Sequence, residues 1–158
     1  MQIPSSMILR RMFKTGLVAA VALCFIARSA EGGVDPVNKD NGVAMHGFDP
    51  VAYFVNGEPV KGNKKFAYEW MGAIWYFASM ENKRLFEENP EKYSPQFGGY
   101  CAWAVSQNYT ADGDPNAWKI VDGKLYVNYN KDVQKMWEQG HPGLITKGNR
   151  NWPRLIKK

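Results

Sequence analysis

"KKFAYEWMGAIWYFAS", residues 64–79, decides the fold. Phe66, Tyr68 and Trp70 alternate with small or polar residues, the period of two that lines one face of a β-strand. Met71-Gly72 turns the chain, and Ala73 to Phe77 return as a second strand. Ser79 then caps a helix, "MENKRLFEEN", with Leu85 and Phe86 facing inward and Pro90 closing it. Downstream, "AWKIVDGKLYVNYN" (117–130) repeats the hairpin pattern, with Trp118, Ile120, Leu125 and Val127 flanking the turn Asp122-Gly123. Asn130 caps the helix "KDVQKMWEQG", whose Val133, Met136 and Trp137 are spaced three and four apart.

The flanks follow from these two anchors. In "GFDPVAYFVNG" (47–57), Asp49 caps a short helix and Pro50 suits its first position. "PEKYSPQFGGYCAWAVSQNY" (90–109) predicts a helical turn from Tyr100 to Ser106. The tail from His141 onward predicts short helical turns anchored by Leu144, Ile145, Trp152 and Leu155. The fold class is α+β, a small antiparallel sheet of two hairpins packed with short helices. Residues 31–45 are rich in Gly, Asp and Asn without a period and form a flexible lead-in. One domain spans 46–158 and ends in a C-terminal helical tail.

Residues 1–30 read differently. Arg10, Arg11 and Lys14 precede an apolar run from Gly16 to Ala27, and small residues follow. That is a secretory signal peptide, with cleavage after Ser29 or Gly32. The run falls short of the roughly 20 residues that a membrane span needs, so no span remains after cleavage. "RRMFK" departs from the twin-arginine motif at Leu9, and "VALC" departs from a lipoprotein box at Leu23. The expected location is periplasmic or secreted.

Four of the 20 basic residues and none of the 15 acidic ones precede residue 31. Beyond it the net charge is therefore only +1, and the basic residues are scattered. This gives little support for the basic face that nucleic-acid binding normally shows, and no nucleic-acid partner is expected. Of the two cysteines, Cys24 falls in the signal peptide and Cys101 remains alone. No internal disulfide can form, and the core must carry stability by packing.

"GFDPVAYF", "WYFASMENKRLFEENPEKYSPQFGGYCAWAV", "WKIVDGKLYVNYN" and "NWP" together resemble the YHS domain family in its exported branch, over most of residues 42–155. Tyr76-Phe77-x-Ser79, with Phe86, Pro90 and Tyr93 downstream, carries the core of that resemblance. The family is similar to TRASH-type metal-binding modules, in which cysteines near the hairpin and at the start of the next helix hold a metal. The corresponding positions here are Ala78 and Asn82, neither of which supplies a thiolate. The resemblance implies a binding role and carries no enzymatic activity to transfer.

Cys101 is then the last thiol available for chemistry. Gly98 and Gly99 let the chain turn into a helix, which places Cys101 near free backbone N–H groups that would favour a thiolate. The aromatic residues around it favour a buried, unreactive thiol instead. A transition-metal site would need Cys101, His46 and His141 to meet through folding. A Cys–His–Asp nucleophile set lacks an elbow motif or adjacent base, and no catalytic residue is assigned. "DGDPN" lacks the glycine and glutamate of an EF-type calcium loop. Tyr76, Tyr100 and Trp103 are candidates to line a pocket for a small ligand. Three readings follow: an exported non-enzymatic module binding a metal ion or small ligand near Cys101, a thiol-dependent enzyme or redox protein using Cys101, and a structural or protein-interaction module.

Overall fold

The structure is a computed structural model that describes residues 33–156. The signal peptide expected over 1–30, with Cys24, lies outside the described residues. No helix among them is long and apolar enough to cross a membrane.

The fold is α+β, and both expected hairpins form. Strands β3 (Asn63–Trp70) and β4 (Ala73–Phe77) pair antiparallel, with Tyr68 opposite Trp75. Met71 and Gly72 both have positive φ, 49° and 68°, as a tight two-residue turn demands. The second hairpin is β5 (Asp114–Val121) with β6 (Lys124–Asn128), turned by Asp122-Gly123 in the same way.

The two hairpins do not share one sheet. The first widens through the segment expected as a lead-in: β1 (Lys39–Asp40) and β2 (Val43–Ala44) pair antiparallel. The sheet order is β1-β2-β4-β3, and β2 runs parallel to β4 through Val43 and Ile74. The sheet is therefore mixed, and the second hairpin stands alone as a two-stranded sheet.

Helices close the faces. Helix α1 (Ala52–Val55) follows Asp49-Pro50. Ser79 caps α2 (Met80–Glu88) by accepting from Asn82 N at 3.1 Å. Pro90 ends that helix and opens α3 (Pro90–Tyr93), because its missing N–H and fixed φ suit a first turn. Helix α4 (Ala102–Ser106) is short. Helix α5 (Lys131–Leu155) is capped by Asn130, which accepts from Val133 N at 2.9 Å. The expected break near Gly140 is only a kink, with φ −133° and ψ 18° there. Pro142 falls in the first turn beyond the kink, where no N–H is needed, so the helix resumes instead of breaking into separate turns.

Two apolar clusters result. Trp75, Phe77 and Phe86 centre the first, beneath the four-stranded sheet, with Leu125 and Val127 reaching in from β6. Phe97, Val105, Tyr126 and Trp137 centre the second, beneath α4 and α5. Alternate residues of β6 thus serve different clusters, and this strand ties them together.

One buried carboxylate fixes the entry to the fold. Asp49 is fully buried. Its Oδ1 accepts from Val51 N (2.8 Å) and Ala52 N (3.3 Å). Its Oδ2 accepts from Ala78 N (2.8 Å) and Asn82 Nδ2 (2.6 Å). Asp49→Ala strips four donors, three of them in buried bonds, of their acceptor and is expected to lower stability by about 3–5 kcal/mol, since such groups are costly to leave unpaired. Urea unfolding followed by tryptophan fluorescence checks this; a loss below about 1 kcal/mol would show that the carboxylate is dispensable.

Candidate functional site

Cys101 sits at the N-terminal edge of α4 with φ −55° and ψ 115°, just before the helical residues. Its backbone N–H donates to Ala111 O at 2.9 Å, which pins the loop that follows α4. No side chain of the helix's own first turn caps α4. Asn128 at the end of β6 does so instead, its Oδ1 accepting from Trp103 N at 3.1 Å. The same oxygen lies 3.9 Å from the Cys101 sulfur, as acceptor for the thiol. The hairpin that carries Asn128 therefore positions both the helix and the thiol.

Electrostatics keep this thiol neutral. Cys101 is 1% exposed. Burial pushes its pKa above the ordinary thiol value, and the nearby N–H groups of Ala104, Tyr129 and Trp103 offset only part of that. The free N–H groups of the helix start, expected from sequence, are joined by that of Tyr129 beyond β6, but desolvation outweighs them.

A cavity of about 230 Å³ lies against the thiol. Cys101, Trp103, Tyr109, Tyr129 and Val133 line it, with Ala104 and Ala111. Trp103 and Tyr109 meet edge to face, their centroids 6.4 Å apart. Tyr109 and Tyr129 are exposed and form the rim. Among the described residues, no ionisable group besides the thiol and the two phenols lines this space.

The other expected site residues lie elsewhere. His46 Nε2 is 2.9 Å from Asp112 Oδ1 in an exposed pair. Burial pushes the Asp112 carboxyl up, but bonds from Asn38 and His46 outweigh it and hold it below the usual carboxylate range. Tyr76 shares a groove with His46 and Lys61. His141 stacks on Trp137 at 5.5 Å, and its Nδ1 has no partner among the described residues. Tyr100 packs on Trp152 at 5.8 Å, away from the thiol. Of the candidates, Cys101 and Trp103 line one cavity together, and His46 and Tyr76 share another groove.

The donors do not fit a metal ion. Among the described residues no group of three or more His, Cys, Asp or Glu side chains is placed to hold one. Cys101, His46 and His141 each face different neighbours, and the thiol resists the deprotonation a metal ligand requires.

Tyr109, Tyr129 and Val133 were not among the residues singled out from sequence. The alternation of β6 carries one signal: Tyr129 follows Leu125 and Val127 in register, one step past the strand's end. Tyr109 and Val133 reach the cavity only through the loop after α4 and the first turn of α5.

The neutral thiol has a measurable consequence. Iodoacetamide is expected to alkylate Cys101 at pH 8 at least about ten-fold more slowly than a small free thiol, because the thiolate is disfavoured and the sulfur enclosed. The rate should rise on unfolding in guanidinium. Folded-state alkylation as fast as that of the free thiol would overturn this description.

Comparison with known proteins gives one match. Residues 51–97, under a third of the chain, match the family model described as YHS domain. No curated protein and no solved structure matches the chain significantly. The matched segment runs from the residue after Pro50 through both strands of the first hairpin to Phe97, and it supports placing this part of the chain in the YHS family.

Proposed function

We propose that this protein is an exported, non-enzymatic binding module of YHS type that takes a small, largely apolar molecule beside Cys101. The observation that carries this reading is the cavity walled by Cys101, Trp103, Tyr109, Tyr129 and Val133. Its lining is aromatic and aliphatic, with phenols at the rim to satisfy a polar end of a ligand. At about 230 Å³ it lies just below the roughly 300–1,000 Å³ of drug-sized sites, which selects a single-ring or short-chain molecule.

Neutrality of the thiol favours this reading over thiol catalysis, which needs a thiolate and a base beside it. It also favours an uncharged ligand over a metal ion. Export rests on the basic and apolar pattern of residues 10–27 and the small residues that follow it.

A cavity-filling variant tests the binding role. Indole and phenol serve as probes by heteronuclear NMR titration, and dissociation constants in the millimolar range or tighter are expected for such small molecules. Val133→Phe fills the space and is expected to weaken both by about ten-fold or more while leaving the fold intact. Unchanged affinity in Val133→Phe, or no shifts around Cys101 in the unaltered protein, would remove the proposal.

A further inference from the structure

A second cavity, of about 270 Å³, shares no lining residue with the Cys101 cavity. Three indoles contribute to its wall: Trp70 and Trp75 from the β3–β4 hairpin, and Trp152 from the last turns of α5. Trp70 and Trp75 lie 5.9 Å apart, tilted by 58°. Trp75 is almost wholly buried and its indole N–H donates to Trp70 O at 3.1 Å, so it backs Trp70 from the core, and the partly exposed indoles are Trp70 and Trp152. Trp152 is braced by Phe97 at 5.9 Å and Tyr100 at 5.8 Å.

The charge on this wall has one sign. Glu91, in the first turn of α3, is the only charged side chain lining the cavity among the described residues. It is exposed and makes no ion pair among them. No Lys, Arg or His of the described residues reaches the cavity.

The walls are held in place before any ligand arrives. Residues 34–38 cross over Gly98 so closely that a Cβ there would sit 1.9 Å from Pro36 O. Asn38 N donates to Gly98 O at 2.8 Å, and Val34 N donates to Leu155 O at 2.9 Å. These contacts fix the Pro36-Val37 side against both the Phe97 turn and the end of α5. A ligand therefore loses little free energy to shaping the site.

We propose that this cavity binds a small quaternary ammonium group. Indole faces carry the strongest π-quadrupole among the side chains and attract a cation within about 6 Å of the ring. A quaternary ammonium has no N–H to satisfy, so a wall of rings suits it better than it suits a primary amine. Glu91 adds the complementary charge at the mouth. An anion would meet both the carboxylate and the π faces unfavourably, and a neutral ligand would gain nothing from Glu91. A free small molecule and a lipid headgroup both carry such a group, and vesicle binding separates them.

Choline and its neutral isostere 3,3-dimethylbutan-1-ol separate cation recognition from simple apolar binding. Titration of each into the full chain at low ionic strength, followed by tryptophan fluorescence and calorimetry, is expected to show choline binding about ten-fold more tightly. Glu91→Gln, an exposed change that leaves the core alone, is expected to weaken choline by about three-fold and leave the isostere unchanged. Trp152→Leu should weaken both. Co-sedimentation with phosphatidylcholine but not phosphatidylglycerol vesicles would assign the lipid headgroup as source, and choline binding without vesicle binding would assign a soluble one. Equal affinity for choline and its isostere, choline affinity unchanged in Glu91→Gln, or no choline binding at tens of millimolar would overturn the proposal.

Discussion

The first half of the domain is organised around the Asp49 carboxylate. A buried charge is costly unless its lone pairs are met, and here four N–H donors meet them. Those donors come from two places far apart in the chain: the start of α1 and the passage from β4 into the first turn of α2. The carboxylate therefore does more than cap a helix. It ties α1 to the point where the first hairpin passes into α2, and Trp75, Phe77 and Phe86 pack within that frame. Directional bonds specify the register, while the apolar cluster beside them supplies most of the stability.

Asn128 plays the matching part in the second half. It too is fully buried, and it too caps a helix from outside, reaching α4 from the end of β6. The distance from Asn128 Oδ1 to the Cys101 sulfur shows why the thiol stays where it is. The thiol's neighbours are chosen by the hairpin and helix packing. Its chemistry is then set by enclosure, since the N–H groups that would stabilise a thiolate act on a sulfur with almost no access to water. Local geometry and desolvation pull in opposite directions, and desolvation is the larger effect.

Much of this was legible in the residues, and the misses have physical causes. The alternation of Phe66, Tyr68 and Trp70 and the Asp122-Gly123 turn identified both hairpins, because a period of two and a positive-φ turn are local properties. The helix caps Ser79 and Asn130 were legible for the same reason. The parallel pairing of Val43 with Ile74 was not, because it depends on where a segment 31 residues away comes to rest. Asp49 was only half readable: its bonds to Val51 and Ala52 follow from sequence neighbours, while those to Ala78 and Asn82 require the fold. The Cys101 cavity divides likewise. Trp103 is two residues from the thiol, whereas Tyr109, Tyr129 and Val133 arrive from a loop, a strand end and a separate helix. The three-indole cavity draws on residues from 36 to 156, and no local pattern marks it.

The same geometry bears on the metal thiols that the resemblance would place at positions 78 and 82. In this chain the backbone N–H of Ala78 and the side-chain amide of Asn82 both point at one oxygen of Asp49. That arrangement is a set of donors converging on an anion, the electrostatic inverse of a cation site, where acceptors converge on the ion. Asn82 also lies in the first turn of α2, where its backbone N–H is already held by Ser79. A pair of cysteines here would have to displace a buried, fully bonded carboxylate network before holding a metal. The hydrogen-bonded carboxylate itself cross-links the start of α1 to the end of the first hairpin and to α2. The cavities beside Cys101 and beside Trp152 share no residue with that junction and are walled mainly by aromatic and apolar side chains.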